Sequence, residues 1–470
     1  MKNNLRNIIV WYIIAICFIG CKKIELRKEG KEISSGDYAG YNILLVSFDA
    51  LQAAHVSHLG YPRTTTPTID KFAQEGFSFG NAISPASWTL PATMSWFTSL
   101  YPSQHRCVNK YSTYTQEEQI LTNLKQLSPG VVTLAEVLKN NGYATAGFNG
   151  DAGVSGKFGF NQGFDVYVDG PKFGGMDYSI PKALEWLRIN SDKKFFMFLH
   201  GYDCHGQFDP PQGYTKQFVE QEYKGRLKGG KEEQGKLREE GLKEGHINLT
   251  DDDVKFWRAL YDEKISDADE RFRQFMSEFE KLGLLDKTII ILTSDHGTEF
   301  YEHKRFDHGF SLYDELIRVL FVVRLPHGRG KKNITQQVRT IDIMPTMFDL
   351  LGLRVSQNMQ EQMKGVSLLP LMNATHMELD AFSETDYRFY ACKRALRTRD
   401  GWKFIYDLDT GEKELYNLNV DRGELHNVIE QEKMMAYQLE QKLFGWLKSM
   451  GQDENYSKER FARILKIKEY

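Results

Sequence analysis

The sequence predicts an α/β fold: a doubly wound, mostly parallel sheet flanked by helices, with a small C-terminal subdomain of antiparallel strands and a helix. Two observations predict the main sheet. Short apolar runs of β type alternate with helical segments along the chain. Polar residues directly follow several of these runs, as they do at the carboxyl ends of parallel strands. A third observation, short strands separated by turn signals after about residue 371, predicts the C-terminal subdomain.

The predicted strands of the main sheet are continuous apolar runs, which is typical of parallel strands buried on both faces. They cover residues 41–48, 143–148, 195–199, 288–293 and 319–324. Between them, Pro67 precedes a helix over residues 68–75. Thr133 and Glu136 have the spacing of a capping box at the start of another helix. We therefore expect strands and helices to alternate through this part of the chain.

The C-terminal part of the chain has a different pattern. Its predicted strands cover residues 395–398, 403–406 and 414–418, and the turn signals RDG and DTG lie between them. A helix with apolar residues at helical spacing is predicted from about residue 430 to residue 450. We expect this helix to cover a small antiparallel sheet that packs against the main domain.

The first 21 residues have the features of an export signal. Lys2 and Arg6 precede an apolar run over residues 8–20, which is short for a membrane-spanning helix. The run ends in a Gly-Cys pair that resembles the lipobox of bacterial lipoproteins, so we expect residues 1–21 to be a lipoprotein signal peptide with Cys21 as the lipidated residue. The protein would then be exported and lipid-anchored to the bacterial cell envelope, facing the periplasm or the cell surface. An uncleaved anchor or a plain signal peptide is the alternative.

The domain organisation follows from these changes of pattern. Residues 22–40 are charged and contain Gly and Ser, which predicts a tether. Residues 41–375 would form the catalytic domain and residues 376–470 the C-terminal subdomain. Residues of about 213–253 are charged and broken by glycines, which predicts a solvated surface insertion rather than core.

Composition excludes several classes of protein. A net charge of −3 gives no sign of a polyanion-binding protein, and no nucleic-acid-binding motif appears, so we expect no nucleic-acid partner. Beyond the signal region, Cys107, Cys204 and Cys392 are odd in number and have no metal-binding spacing. These cysteines argue against a disulfide framework and a zinc-finger module, although one disulfide stays possible.

Polar residues at two strand ends predict a metal site. Asp49 follows the first strand, and Asp295 and His296 follow the fourth. Because ligands of such sheets bind beyond the carboxyl ends of the strands, these side chains are expected to converge. Carboxylates suit hard divalent cations, and a neighbouring His broadens the choice of metal. We expect one divalent ion, Ca²⁺, Mn²⁺ or Zn²⁺, although an isolated Asp-His pair is more often structural.

Several motifs occur in a fixed order over most of the chain. They are ILLVSFDAL, HLGYPRTTTPTIDKFAQEGFSFGNA and SPASWTLPATMSWFTSLYPSQH within residues 42–105, FLHGYDCHGQFDPP at 198–211, LLDKTIIILTSDHGTEFYEH at 284–303, FDHGFSLYDELIRV at 306–319 and DIMPTMFDLLGL at 342–353. In this order they resemble the sulfatase branch of the alkaline-phosphatase superfamily. The resemblance implies an alkaline-phosphatase-like fold, a metal held at Asp49, Asp295 and His296, and hydrolysis of sulfate or phosphate esters.

Several positions depart from the family's pattern. Thr89 occupies the position of the Cys or Ser that sulfatases oxidise to formylglycine, and Thr93 replaces the Arg of the same motif. Ala50 replaces a second metal-binding Asp, and Phe148-Asn149 replaces a Gly-Lys pair. A threonine cannot form the formylglycine aldehyde. We therefore expect the Thr89 hydroxyl, at the metal, to attack the ester directly; a helix N-cap is the structural alternative for this residue.

Histidines in the matched motifs complete the predicted site. His205 and His308 match family positions that contact the transferred group or protonate the leaving oxygen, and His is an apt acid near neutral pH. His200 and Lys304 are predicted to bind the anionic substrate. The loop after the metal pair contains further candidate ligands for a second cation, although a solvated loop is the favoured interpretation; these are Glu299, Glu302 and His303.

The sequence thus predicts a metal-dependent hydrolase of sulfate or phosphate esters with Thr89 as the nucleophile. Its substrate would be a glycan or a lipid headgroup, and the lipid anchor would hold the enzyme at a membrane. Two alternatives stay open. The same site could transfer a phospho-headgroup to an acceptor at the membrane surface, or the chain could be a pseudosulfatase that binds anionic glycans without turnover.

Overall fold

The structure, a computed structural model, describes residues 32–108, 126–206, 217–219, 223–387 and 391–452. Its strands in chain order are β1 (Asn42–Phe48), β2 (Phe77–Phe79), β3 (Ala82–Ile83), β4 (Ala144–Asn149), β5 (Val166–Asp169), β6 (Phe195–Gly201), β7 (Thr288–Thr293), β8 (Glu299–Phe300), β9 (Phe306–Asp307), β10 (Arg318–Val319), β11 (Phe321–Arg324), β12 (Lys332–Ile334), β13 (Val338–Arg339), β14 (Ala381–Tyr387), β15 (Ala391–Arg397), β16 (Trp402–Asp407) and β17 (Lys413–Asn417).

The α-helices are α1 (Pro67–Glu75), α2 (Thr89–Thr98), α3 (Pro102–His105), α4 (Leu134–Asn140), α5 (Met176–Asn190), α6 (Lys231–Glu244), α7 (Asp251–Lys281), α8 (Asp314–Ile317), α9 (Ile343–Leu351), α10 (Gln357–Gln362), α11 (Leu369–Met372) and α12 (Lys433–Ser449). Short 3-10 turns lie at Ala53–His55, Ser57–Leu59, Ala152–Val154, Gly156–Phe158, Leu285–Lys287, Pro326–Gly328 and Thr340–Asp342. No described helix has both the length and the apolar character needed to cross a membrane.

An eight-stranded sheet in the order β12-β2-β11-β7-β1-β6-β4-β5 forms the centre of the fold. Only β11 runs against its neighbours, so the predicted mostly parallel sheet is confirmed. The run predicted as one strand at 319–324 is split: β10 pairs with β3 in a separate small sheet, and β11 pairs with β7. The middle strands β7, β1 and β6 are buried along their whole length, as their continuous apolar runs predict.

The register of the three middle strands brings their carboxyl ends together. Ser47 of β1 is paired with Thr293 of β7 on one side and with His200 of β6 on the other. Asp49 therefore emerges between the end of β6 and the segment that carries Asp295. Long helix α7 packs on this sheet through apolar residues that join the main core, including Trp257, Phe272 and Phe275.

The sequence predicted a solvated surface insertion over residues of about 213–253, but part of this stretch packs into the core. It contains helix α6, and Leu227, Leu237 and Ile247 join the main core. The prediction was wrong for this part of the stretch because a few apolar side chains, spaced along a charged segment, are enough to anchor it. Residues 207–216 and 220–222 of the matched motif and the insertion lie outside the described residues.

The C-terminal sheet has the order β14-β15-β16-β17 and is antiparallel, as predicted. Helix α12 covers one face through Leu439, Leu443 and Leu447. The other face packs on the main domain, where Ala395 and Ile405 meet Leu316. The sequence missed β14 altogether.

The predicted signal peptide 1–21 and its Cys21 lie outside the described residues and stay predictions. The end of the predicted tether differs from a free linker. The backbone N–H of Gly36 donates to Asp349 O at 2.9 Å, and that of Tyr38 donates to Leu350 O at 3.1 Å, which ties this segment to α9. No disulfide joins the three cysteines of the described core.

Candidate functional site

Two buried carboxylates face each other at the carboxyl ends of β1 and β7. Asp49 and Asp295 are both fully buried. One oxygen of Asp295, Oδ1, accepts hydrogen bonds from the backbone N–H groups of Ala50 at 3.0 Å and His296 at 2.9 Å. Its other oxygen, Oδ2, and Oδ1 of Asp49 have no hydrogen-bond partner in the structure. Ala50 stands at the position where sulfatases have an acidic side chain. Its backbone has a φ of 58°, and its N–H points at Asp295.

Thr89 is the first residue of α2, and its hydroxyl points at these carboxylates. Its Oγ1 donates to Asp49 Oδ2 at 3.1 Å and lies 3.3 Å from His296 Nε2. The N-cap of α2 is Trp88, so Thr89 is not the cap that was its structural alternative. At the first position of a helix, the hydroxyl also experiences the positive end of the helix dipole. The structure thus unites Thr89 with the three predicted metal ligands.

The imidazole of His296 is oriented by its own loop. Its Nδ1 lies 2.7 Å from the carbonyl oxygen of Gly297, to which it can only donate, so Nε2 is left as the acceptor in the neutral ring. Nε2 lies 3.4 Å from Asp295 Oδ2 and 4.0 Å from Asp49 Oδ1. Metal-binding histidines regularly donate the N–H of their other ring nitrogen to a carbonyl oxygen in this way, which fixes the tautomer.

These residues fit a divalent metal ion. Ligand atoms of Asp49, Asp295 and His296 all lie within 4.8 Å of one another. Burial and the neighbouring charge of Asp49 raise the pKa of Asp295, because two carboxylates in one buried space repel each other. Burial would also raise the pKa of Asp49, but hydrogen bonding to His200 and the charges of nearby histidines hold it below its usual range. Unpaired carboxylate oxygens with one imidazole nitrogen form a donor set that suits Ca²⁺, Mn²⁺ or Zn²⁺.

The remaining predicted histidines line one side of this cluster. His200 is fully buried, and its Nε2 lies 3.3 Å from Asp49 Oδ2. The ring of His308 lies 4.4 Å from that of His296 and 5.0 Å from that of His205, centroid to centroid. Burial lowers the pKa of His308 to about 3 and also lowers that of His205.

At the two positions where the family has a cationic residue, this chain has the uncharged residues Thr93 and Asn149. Thr93 is fully buried within α2. Asn149 turns toward β5, where its amide donates to Asp169 Oδ1 at 3.2 Å, and its Oδ1 accepts from the N–H of Asp151 at 2.7 Å. These two positions therefore provide no charge for binding an anion.

Lys304 lies in the turn between β8 and β9 and is exposed. In the described part of the chain, its polar contacts are those of its backbone with Tyr301 and Ile247. The structure does not join it to the histidine cluster, and its role stays a prediction.

A tight turn that contacts Thr89 was not predicted from the sequence. A Cβ placed on Gly153 would lie 2.7 Å from the Cβ of Thr89, so only glycine fits at this position. Asp151 and Ala152, with φ of 61° and 55°, bring the turn into place. The Tyr202 hydroxyl secures it by accepting from Gly153 N–H at 2.8 Å and donating to Asp151 O at 2.9 Å. This turn restricts the position of the Thr89 side chain.

In the second cluster of candidate ligands, Glu299 is buried, and Glu302 and His303 are half-buried. His303 Nδ1 lies 2.7 Å from Glu315 Oε1, and His303 Nε2 lies 3.1 Å from the carbonyl oxygen of Glu424. Glu299 Oε1 accepts from the N–H groups of His303 and Arg305, both at 2.9 Å. The interpretation as a solvated loop was wrong: hydrogen bonding to the neighbouring carboxylates raises the pKa of His303 to about 9, against the effect of burial, which indicates an ion-paired imidazolium. Glu302 pairs with Arg258 at 3.1 Å.

A family model described as Sulfatase matches residues 41–353. The chain belongs to the sulfatase family. A second model, N-sulphoglucosamine sulphohydrolase, C-terminal, matches residues 301–450 of this sulfatase-family chain. Membership confirms the resemblance predicted from the ordered motifs and places the chain among sulfate-ester hydrolases.

Individual relatives agree with this membership. Arylsulfatase K of Mus musculus is 24% identical over 472 residues, an alignment that covers 89% of this chain and 82% of the relative. The structure of BT1596, a 2-O GAG sulfatase, matches this chain with a TM-score of 0.70 at 18% identity. The match covers 88% of this chain and 94% of the BT1596 chain. A phosphonate monoester hydrolase of Agrobacterium radiobacter has a TM-score of 0.68 at 20% identity, with 87% and 96% covered. These similarities confirm the predicted alkaline-phosphatase-like fold.

Replacing Gly153 with Ala should impair hydrolysis by this sulfatase-family chain. The added methyl group must displace either Thr89 or the turn, and a displacement of about 1 Å at a reacting group can lower activity on the order of 100-fold. Steady-state hydrolysis of an aryl sulfate, with thermal unfolding to check the fold, measures this. Gly445→Ala, in open space on α12, is the matched control and should leave activity intact. Equal activity of the Gly153→Ala variant and the wild type would show that the turn does not restrict Thr89.

Glu299 should make the protein less stable as the pH rises. Burial and the charge of Glu315 raise the pKa of Glu299 to about 8, above its value in the unfolded chain. The proton therefore favours the folded state at low pH, and this stability is lost as pH rises from about 4.5 through about 8. Glu299→Gln should flatten the fall in the free energy of unfolding between pH 5 and pH 9, by up to about 4 kcal/mol. Denaturant titrations at both pH values in chelator test this, with exposed Glu240→Gln as the control; parallel curves for wild type and Glu299→Gln would contradict it.

Proposed function

We propose that this chain hydrolyses sulfate esters of an anionic glycan, with the Thr89 hydroxyl as the direct nucleophile. One observation carries the proposal: Thr89 Oγ1 lies at the start of a helix, 3.1 Å from Asp49 Oδ2 and 3.3 Å from His296 Nε2. A phosphate ester has the same tetrahedral, anionic centre, so phosphate esters are the chemical alternative. The similarity to sulfatases supports sulfate as the first choice.

A divalent ion would be held by Asp49, Asp295 and His296, with Thr89 at its edge. When bound, such an ion lowers the pKa of the alcohol and neutralises charge that develops in the transition state. The fit rests on the donor set and on the two carboxylate oxygens without partners. The family's second metal Asp is Ala50, and the chain has one carboxylate fewer for the ion.

The protein prepares Thr89 for attack with its own groups. Asp49 accepts the hydroxyl hydrogen bond, which aims an oxygen lone pair away from this carboxylate. The start of α2 favours negative charge on the attacking oxygen. The turn at Gly153 prevents the side chain from moving away.

His205 and His308 would act on the transferred group and the leaving oxygen. Burial disfavours the imidazolium form of both rings, and an anion placed between them would raise both pKa values because opposite charge favours that form. Attack would form a bond from Thr89 Oγ1 to sulfur, pass the hydroxyl proton to Asp49 Oδ2 and break the bond from sulfur to the leaving oxygen, which takes a proton from one of the two histidines. Water would then attack the sulfur of the threonine ester and release sulfate; its proton returns to that histidine, and the Thr89 oxygen takes its proton back from Asp49.

The substrate class and the location are proposed from the relatives and from the pattern of the first 21 residues. A glycan is supported by relatives such as the 2-O GAG sulfatase, to which this chain is similar in fold. Export and a lipid anchor at Cys21 are supported by the basic, apolar and Gly-Cys pattern of residues 1–21. An anchored hydrolase on the outer side of a membrane would meet polymeric glycans before they enter the cell.

Thr89→Ala should abolish ester hydrolysis, and Thr89→Ser should keep part of it because the hydroxyl remains. We expect a loss on the order of 1,000-fold or more for the Ala variant, as for other removed nucleophiles. The measurement is turnover of 4-nitrophenyl sulfate, 4-nitrophenyl phosphate and bis(4-nitrophenyl) phosphate, each with and without glycerol as acceptor. Exposed Thr375→Ala is the matched control.

The outcomes separate the alternatives. Full activity of the Thr89→Ala variant contradicts the nucleophile assignment. Product joined to glycerol in preference to water indicates a transferase. Tight binding of a sulfated glycan by a wild type that turns over none of the three esters indicates a non-catalytic binding protein.

A further inference from the structure

Helix α6 approaches the histidine side of the site, although sequence analysis assigned its charged segment to the solvent. Leu237 anchors the helix in the main core. Three residues before Leu237, Gln234 packs its carboxamide on Gly206, where an added Cβ would lie 1.8 Å from the Gln234 Nε2. Gly206 directly follows His205. The helix therefore contacts the loop that carries one of the two predicted acid groups.

One helical turn further along α6, Arg238 contacts the other histidine loop. Its Nη1 lies 3.4 Å from Asp307 Oδ2, and Asp307 Oδ1 lies 2.5 Å from His308 Nδ1. Gln234 and Arg238 are four residues apart and thus lie on one face of the helix. This face forms a wall beside His205 and His308, on the side where the leaving alcohol would depart.

The guanidinium of Arg238 is incompletely satisfied. Its contacts with Asp307 and Glu239 are both 3.4 Å long, whereas strong charge-assisted hydrogen bonds are about 2.7–2.9 Å. Its Nε is buried and has no hydrogen-bond partner in the structure. A buried donor without a partner is costly, and its presence beside an active site indicates a group that arrives with a ligand. A guanidinium is suited to the paired oxygens of a carboxylate or a sulfate.

An aromatic residue on the same side favours a sugar. Phe173 has φ of 65°, a conformation that is strained for a bulky residue, and its ring stacks on His205 at 5.1 Å. The Lys172 ammonium lies 5.6 Å from the centre of the Phe173 ring. A partly exposed ring beside polar and cationic groups is a surface on which a charged sugar ring can stack.

We propose that Arg238 selects esters whose leaving alcohol carries a second anionic group, a carboxylate or a further sulfate on the sugar that stacks near Phe173. The inference rests on the proposed function, because it assigns the leaving-group side of that same site.

The test compares matched substrates that differ in the second charge. One pair is a sulfated disaccharide with its uronic acid either free or as the methyl ester. The other pair is glucosamine 2-N,6-O-disulfate and N-acetylglucosamine 6-sulfate. The first pair tests a carboxylate and the second a further sulfate. The wild type should prefer the charged member of at least one pair by about tenfold or more in kcat/KM, a ratio typical of one well-placed charge-assisted contact.

Arg238→Gln should reduce this preference to about onefold, mainly through KM, and Arg238→Lys should restore part of it because a point charge remains. Exposed Lys236→Gln removes the same charge from the same helix and should keep the preference. An unchanged preference in the Arg238→Gln variant overturns the proposal. So does an equal loss on both members of each pair, since Arg238 would then act only through Asp307 on His308.

A binding measurement keeps this proposal separate from the proposed function. Calorimetric titration of the same saccharides into the Thr89→Ala variant, with and without Arg238→Gln, needs no turnover. If the wild type hydrolyses none of the saccharides, the proposed function fails, and charge-dependent binding that requires Arg238 still supports the selection. Equal binding of charged and neutral members in both proteins overturns it.

Discussion

The repulsion between two buried carboxylates, Asp49 and Asp295, is the constraint on which the rest of the site depends. Each has lost its water, and each presents an oxygen that no donor in the structure satisfies. Backbone N–H groups and histidines offset only part of this cost. A divalent cation removes it, because one ion neutralises both charges in a space too dry for either to be stable alone.

The parallel sheet makes this arrangement possible. Three adjacent strands in register end at the same edge, which brings together side chains nearly 250 positions apart. The start of α2 places an alcohol on the acidic pair, and the loops after β6 and β9 bring histidines over it. The acidic end of the site and the histidine end thus come from different loops. This division allows the two ends to have different tasks, attack at one and departure at the other.

Much of this was predictable from sequence, for identifiable reasons. Buried parallel strands are continuous apolar runs, so β1, β6 and β7 were predicted within two residues. The acid and histidine positions after them followed from the ordered motifs and strand ends. Strand β14 was missed because it reads AFSETDY and buries its acids, Glu384 and Asp386, against Arg394 of the next strand. A search for apolar residues does not detect a strand whose buried side chains are charged and ion-paired.

The features that restrict the site are tertiary and left little trace in the sequence. The contact between Gly153 and Thr89 depends on a turn with two left-handed residues that are not glycine. Arg238 belongs to a run of charges in which no single cation stands out, and only the packing of Leu237 determines which of them faces inward. In both cases the path of the backbone between distant segments determines which residue lies at the site.

The central claim is that one cation lies among Asp49, Asp295 and His296 and touches the Thr89 oxygen. Anomalous X-ray diffraction from crystals of the protein grown with Mn²⁺ measures this most directly. We expect one peak within about 2.0–2.6 Å of a ligand atom from each of the four side chains. A peak elsewhere, or a cation at the carboxylates with the Thr89 hydroxyl beyond its reach, would contradict it.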